Sequence, residues 1–269
     1  MLREVVFIGA VAGLVFASPG SDAEDALPPA EAIVQNVNDR DDGETLSRTI
    51  AFQLTDKRGK TREQQTKSFR RNYDGEKRSV IFYTDPKNVE GTAFLTYDYH
   101  DPNQEDVQWL YLPAMRKVRR ISSANHGDYF LGTDFTYYDI KHESDLAVED
   151  FSWTTLRQEN ENGADCFVIE AVPRTPKIAD ELGYSRVHYW IEQSNWMQRK
   201  AEFWDIGGNP LKTIQFNDVR EVDGIWTAHE LVANNHKTGH STVLKMSDID
   251  YESGVDDDLF TERALKRGL

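Results

Sequence analysis

The chain has 269 residues, with 31 Lys and Arg against 46 Asp and Glu, which gives a formal net charge of −15 beside a single cysteine. That acidity disfavours a nucleic-acid partner, because phosphate binding needs a positive field, and one thiol excludes disulfide scaffolds and Cys-rich metal or iron–sulfur sites. An apolar content of 39%, with 11% aromatic residues, is enough to build a core and excludes a disordered chain.

Arg3 precedes an apolar run from Val5 to Ala17, followed by Ser18-Pro19-Gly20-Ser21. This is the order of a secretory signal, and the run is shorter than the roughly 20 residues that span a bilayer. Cleavage after Ala17 is preferred to cleavage after Ala23, making residues 1–17 the signal and 18–269 one exported, periplasmic domain. A short uncleaved anchoring helix is the other reading.

After Pro28-Pro29, the spacing of Ala30, Ile33, Val34 and Val37 predicts an amphipathic helix, closed by the polar cluster from Asn38 to Gly43. From Thr45 the period becomes two. Ile50, Phe52 and Leu54 share one face, and the turn Asp56 to Lys60 leads into a return strand from Thr61 to Tyr73. Further strands are expected at 79–84, 92–99, 106–112, 151–158, 166–172, 186–192, 197–205, 211–219, 225–233 and 241–249. Such closely spaced strands with short turns describe an antiparallel meander, curved or closed on itself. One long interruption lies between Ile121 and Val148. There a polar, glycine-bearing loop precedes Phe130, Phe135, Tyr137 and Tyr138, which reads as a short helix or lid that must bury its rings. At the C-terminus, Asp256-Asp257-Asp258 is expected to cap a last helix.

No zinc helix and no nucleophile elbow is present, so no enzyme, no cofactor and no metal site is expected. His236 and His240 flank a turn and read as exposed. Cys166 falls in a buried strand pattern and reads as an inert core thiol. The most unusual chemistry is Met115 to Ile121, where a strand would carry cations on both faces. Arg116, Lys117, Arg119 and Arg120 either pair with surface carboxylates or form a rim for a phosphate head group.

Three blocks carry a resemblance: Gly91 to Tyr99, the long run from Gln108 to Ile121, and Gly132 to Tyr137. It continues through Asp165 to Ala171, Asp223-Gly224-Ile225-Trp226 and Leu259 to Arg263. Together they resemble the outer membrane lipoprotein-sorting proteins, a LolA-like family of exported bacterial proteins. The resemblance implies a mainly β fold: a strongly curved, unclosed antiparallel barrel of the LolA/LolB kind, with a few helices plugging its concave side. It also implies lipid or lipoprotein acyl chains as cargo, an inner-membrane lipid exporter as a partner, and only transient membrane contact.

For such a carrier the candidate pocket residues are Phe52 and Leu54; Leu95 and Tyr97; Trp109 and Tyr111; Phe130 and Phe135 on the lid; and Tyr189, Ile191 and Phe203. Ordinary packing between sheet and helices is the alternative for each, because periodicity does not separate a core from a pocket. Two functional readings follow. One is a periplasmic carrier of lipid or lipoprotein moving cargo toward the outer membrane; the other is a non-catalytic structural or interaction component of an envelope export system with a filled core.

Overall fold

A computed structural model describes residues 26–101 and 103–269. The expected signal segment lies outside the described residues. Thirteen strands form one antiparallel sheet: β1 (Thr45–Thr55), β2 (Thr61–Tyr73), β3 (Glu76–Asp85), β4 (Ala93–Tyr99), β5 (Val107–Leu112), β6 (Lys117–Ile121), β7 (Phe151–Glu161), β8 (Ala164–Pro173), β9 (Tyr184–Glu192), β10 (Gln198–Asp205), β11 (Pro210–Val222), β12 (Ile225–Asn235) and β13 (Ser241–Asp250). The spatial order is β6-β5-β4-β3-β2-β1-β13-β12-β11-β10-β9-β8-β7. Strands adjacent in sequence pair throughout except β6 with β7, and β1 pairs with β13 as well as with β2. β6 and β7 are consecutive in sequence but form the two edges of the sheet. The sheet is therefore curved and unclosed, and residues 122–150 run from one free edge to the other.

The turns explain the meander. In the first hairpin the Asp56 carboxylate accepts from the backbone N–H of Arg58 at 2.8 Å and of Lys60 at 3.0 Å. Gly59, at φ 80°, takes the left-handed conformation that lets the chain reverse.

The concave face gathers one continuous core, including Phe52, Tyr83, Phe94, Trp153, Tyr184, Ile191, Phe203, Phe216 and Leu244. Helix α1 (Ala30–Asn38) adds Ile33, Val34 and Val37 to it, the face that the spacing predicts. The side chain of Asn38 then pairs with both backbone groups of Leu146, at 2.9 Å each, as a strand would. Two short helices complete this side: α2 (Tyr137–Lys141), opened by a capping box between Thr136 and Asp139, and α3 (Pro176–Leu182), capped by Thr175. Helix α3 is not among the expected elements; its signal is Thr175-Pro176, a cap followed by proline at the first helical position.

A second core lies on the opposite face of β3, β4 and β5. Helix α4 (Glu262–Arg267) lays Ala264 and Leu265, and the segment before it Phe260, over Val80, Phe82, Ala93 and Leu95, with Tyr97, Trp109 and Tyr111 packed at the margin. This corrects the expected inward direction of Leu95, Tyr97, Trp109 and Tyr111. Ala93, Phe94 and Leu95 are all buried because β4 is covered on both faces, and alternation then no longer tells in from out. The acidic cap is corrected too. Asp256 caps a 3-10 turn at Asp257–Leu259, whereas α4 is capped by Thr261, whose hydroxyl accepts from Ala264 N–H. Cys166 is fully buried, and burial pushes its thiol up to about 11.

Since Leu95 serves the outer core with Phe260 and Leu265, Leu95→Ala should cost about 3 kcal/mol in urea unfolding; a variant as stable as the parent would contradict this packing.

Candidate functional site

The segment from Ser122 to Asp150 acts as a plug. It turns tightly at Phe130 to Thr133, where Thr133 Oγ1 donates to the Phe130 carbonyl at 2.7 Å. The turn presents Phe130, which is fully buried. The Phe130 ring sits 5.1 Å from Phe94, 5.4 Å from Tyr137, and 6.4 Å from both Phe52 and Tyr83. Phe135, Tyr137 and Tyr138 bury alongside it. The middle of the half-barrel is thus filled by rings of the plug rather than by side chains of the strands alone. At about 1.5–3 kcal/mol for each buried large side chain, these four contribute roughly 8 kcal/mol.

Polar contacts hold the plug in place. At its tip, Thr242 Oγ1 donates to Asp134 at 2.8 Å and Asn235 Nδ2 donates to the Tyr129 hydroxyl at 2.7 Å. At its start, Gly127 N–H donates to the Glu181 carbonyl at 3.0 Å. A Cβ on Gly127 would lie 2.6 Å from the Leu182 carbonyl oxygen, so only glycine permits this close approach to the end of α3. Deep in the interior, Lys212 on β11 pairs with Asp139, and the Tyr184 hydroxyl bridges them, accepting from Lys212 at 2.9 Å and donating to Asp139 at 3.1 Å. Both ionic side chains are almost fully buried, and burial pulls the Lys212 ammonium below its ordinary value against the attraction of Asp139. Where the plug meets the ends of β3, β4 and β5, Lys77 lies between Asp98 and Asp145, Lys141 between Asp98 and Asp106, and His142 Nδ1 lies 2.5 Å from Asp145.

Beside this ionic cluster, in the gap between the sheet edges, opens a cavity of about 980 Å³. It is lined by the charged residues of the clasp, by Arg120 and Ile121 at the end of β6, by His126, and by one side of α3. Burial, reinforced by Lys141, holds the His126 imidazole below its ordinary value. Val37, Leu146, Ala147 and Val148 also line this cavity, so its wall mixes charged and apolar side chains, whereas the aromatic centre of the concave core is packed. Under the plug, four inward-facing polar atoms have no hydrogen-bond partner: Gln64 Oε1, Tyr83 OH, Thr96 Oγ1 and Gln108 Oε1. Leaving a buried acceptor unpaired costs about 1–3 kcal/mol.

Of the residues singled out from the sequence, Phe52, Leu54, Phe130, Phe135, Tyr189, Ile191 and Phe203 meet in the concave core. Leu95, Tyr97, Trp109 and Tyr111 lie behind it, on the outer face. Lys117, Arg119 and Arg120 stand exposed on the free edge strand β6, with Arg116 exposed just before it. Among the described residues Arg120 reaches Glu105 at 3.8 Å, and no carboxylate comes within 4 Å of the other three. The sequence reading missed Lys77, Lys141, Asp145, Asp139 and Lys212. A signal for one was available: Lys212 continues the apolar face of Ile214 and Phe216, and a charge on such a face implies a buried partner.

A family model described only as "uncharacterized protein" matches residues 75–267. No curated protein matches the chain. Among solved structures, one described as an outer membrane lipoprotein-sorting protein domain, from Vibrio parahaemolyticus, is 31% identical. It covers 88% of this chain and 98% of its own, with a TM-score of 0.80. The chain belongs to the outer membrane lipoprotein-sorting protein family. A DUF1329 family protein from Desulfovibrio piger is 26% identical, covers 88% of this chain and 97% of its own, and has the same TM-score of 0.80. A LolA superfamily protein from Nitrosomonas europaea shares the fold, with 20% identity, 88% and 100% coverage and a TM-score of 0.66. The expected unclosed, plugged half-barrel is thus the fold of this sorting-protein chain.

The clasp has a defined pH dependence. Burial works to raise the Asp145 carboxyl, but Lys77 and His142 outweigh it and hold it well below the ordinary range. A depressed carboxylate contributes stability above its unfolded value near 4, and that contribution is lost only as pH falls through the folded value. Urea stability contributed by Asp145 should therefore be flat from pH 8 to 5 and fall below about pH 4. Asp145→Asn should cost about 2 kcal/mol at pH 7, less than a fully buried pair, and flatten the acid limb. An acid limb unchanged in Asp145→Asn would rule out this clasp.

Proposed function

We propose that the protein is an envelope carrier without chemistry of its own, which takes acyl chains of a lipid or lipoprotein into its concave side and moves them toward the outer membrane. The observation that carries this reading is the origin of the filling. The apolar concavity is occupied by aromatic residues of a segment that joins two unpaired strand edges, and such a segment can leave without breaking the sheet ladder.

The energetics permit the exchange. A sixteen-carbon chain gains about 0.8 kcal/mol per buried methylene, or roughly 12 kcal/mol. That is of the same order as the burial of the four plug rings, so cargo and plug compete for one volume. A filled, non-catalytic interaction component is the second reading, and the buried Lys212–Asp139 pair, which fixes the plug, favours it. The name of the relative from Vibrio parahaemolyticus, a lipoprotein-sorting domain, supports the first.

In the carrier reading the exposed cations of β6 face the donor or acceptor membrane. Contact is transient; among the described residues no helix is long and apolar enough to cross a membrane. An inner-membrane lipid exporter is the donor in this scheme, and the periplasm is the compartment.

Protein isolated gently should show lipid adducts in native mass spectrometry that disappear on organic extraction. Absence of any adduct, together with no affinity for a fluorescent fatty acid, would leave the interaction component. At low salt each cation near an anionic surface contributes about 1 kcal/mol. Arg116→Ala with Arg120→Ala should therefore weaken binding to anionic phospholipid vesicles roughly thirtyfold and leave a neutral lipid unaffected. Equal losses for both lipids would reduce the basic edge to a solvated surface.

A further inference from the structure

We propose that the concave site selects amphiphiles bearing an O–H or N–H hydrogen-bond donor where the apolar chain meets the head group, and that Thr96 and Gln108 are the residues that read it. This rests on the carrier reading above and adds the chemical class of the cargo.

Thr96 and Gln108 are direct cross-strand partners on β4 and β5. They are 2% and 0% exposed. Both point to the concave side, in the same alternation as Phe94 and Leu110 of the concave core and as Asp98 and Asp106 of the cavity wall. Side chains on one face of a strand repeat every two residues, or about 7 Å. Along this face the lining thus changes from apolar, to neutral polar, to charged. An amphiphile lying along β4 and β5 meets the three zones with its chain, its linkage and its head group in turn.

The two polar residues are built for a partner that the folded chain does not supply. Gln108 Nε2 donates to the Tyr137 carbonyl of the plug at 3.4 Å, which identifies Oε1 as the free end of the amide. Gln108 Oε1 and Thr96 Oγ1 have no hydrogen-bond partner. Buried polar atoms in native proteins are nearly always paired. Of the four open atoms under the plug, these two belong to directly paired residues and lie beneath the segment that cargo would displace. An amide oxygen only accepts, so the missing partner must donate. The threonine hydroxyl beside it can accept from, or donate to, the same group. A hydroxyl or an amide N–H on the ligand meets this requirement. A simple ester, with acceptors alone, leaves Oε1 unpaired, and sites that hydrogen-bond a ligand group discriminate strongly against analogues that lack it.

The test uses the full chain and displacement of N-phenyl-1-naphthylamine by three ligands of one chain length: dodecan-1-ol, dodecanamide and methyl dodecanoate. The affinity ratio of alcohol or amide to ester should fall at least tenfold in Thr96→Val/Gln108→Met relative to the parent, which cancels differences in ligand hydrophobicity. Which of the two ratios falls distinguishes a hydroxyl from an amide source. A ratio unchanged between parent and variant overturns the proposal and assigns the two atoms to solvent. If none of the three displaces the dye from the parent, the carrier reading fails and takes the proposal with it. The parent provides a measurement that needs no variant: at equal concentration the alcohol and amide should raise its melting temperature more than the ester. Hydrophobicity alone gives the reverse order, and that order would also overturn the assignment.

Discussion

A sheet that curves through thirteen strands without closing must do two things at once: fill an apolar concavity and protect two strand edges. In this protein one segment does the first and bridges the gap between the two edges. Residues 122–150 leave β6, cross the concave side with Phe130, Phe135, Tyr137 and Tyr138 turned inward, and return to begin β7. The edge of β6 is then protected by charge, since Lys117, Arg119 and Arg120 make it a poor template for another strand. The same cations form the main basic feature of an acidic molecule. Edge protection and membrane contact are compatible uses of them.

The manner of attachment matters as much as the filling. Strands are held by ladders, while the plug is held by aromatic packing and by ionic and hydrogen-bonded contacts at its start, middle and tip. A buried ion pair such as Lys212–Asp139 adds little net stability over an apolar pair of the same size, but it rewards one geometry and penalises displacement of either partner. The plug is therefore specified in position without being welded to the sheet. Its hydrophobic contribution is close to that of a long acyl chain, and the polar atoms of Thr96 and Gln108 remain unpaired beneath it. These are the properties that the proposed carrier requires of a removable occupant.

The strands were legible in the sequence because most carry one buried and one exposed face, as with Ile50, Phe52 and Leu54. The helix at Ala30 was legible for the same reason, at a period of 3.6. Legibility failed where that contrast disappears. In β4, apolar residues occupy both faces because α4 covers the outer one, so Leu95 and Tyr97, with their neighbours Trp109 and Tyr111, were assigned to the wrong side. The lid was recognisable from its clustered rings, and Phe130 and Phe135 do fill the concavity. Its ionic clasp was not recognisable, because Lys77, Lys141, Asp98 and Asp145 come together only through the register of β3 with β4 and the fold of the plug. A charged residue interrupting an apolar face, as Lys212 does in β11, was the one local mark of buried polar structure.

The central claim is that cargo and plug occupy the same volume, and amide hydrogen exchange across residues 128–142 tests it most directly. On adding a bound fatty acid or phospholipid, these amides should exchange faster while those of α1 and of β1, β12 and β13 keep their protection. Lipid binding that leaves the plug as protected as before, or more so, would contradict the account.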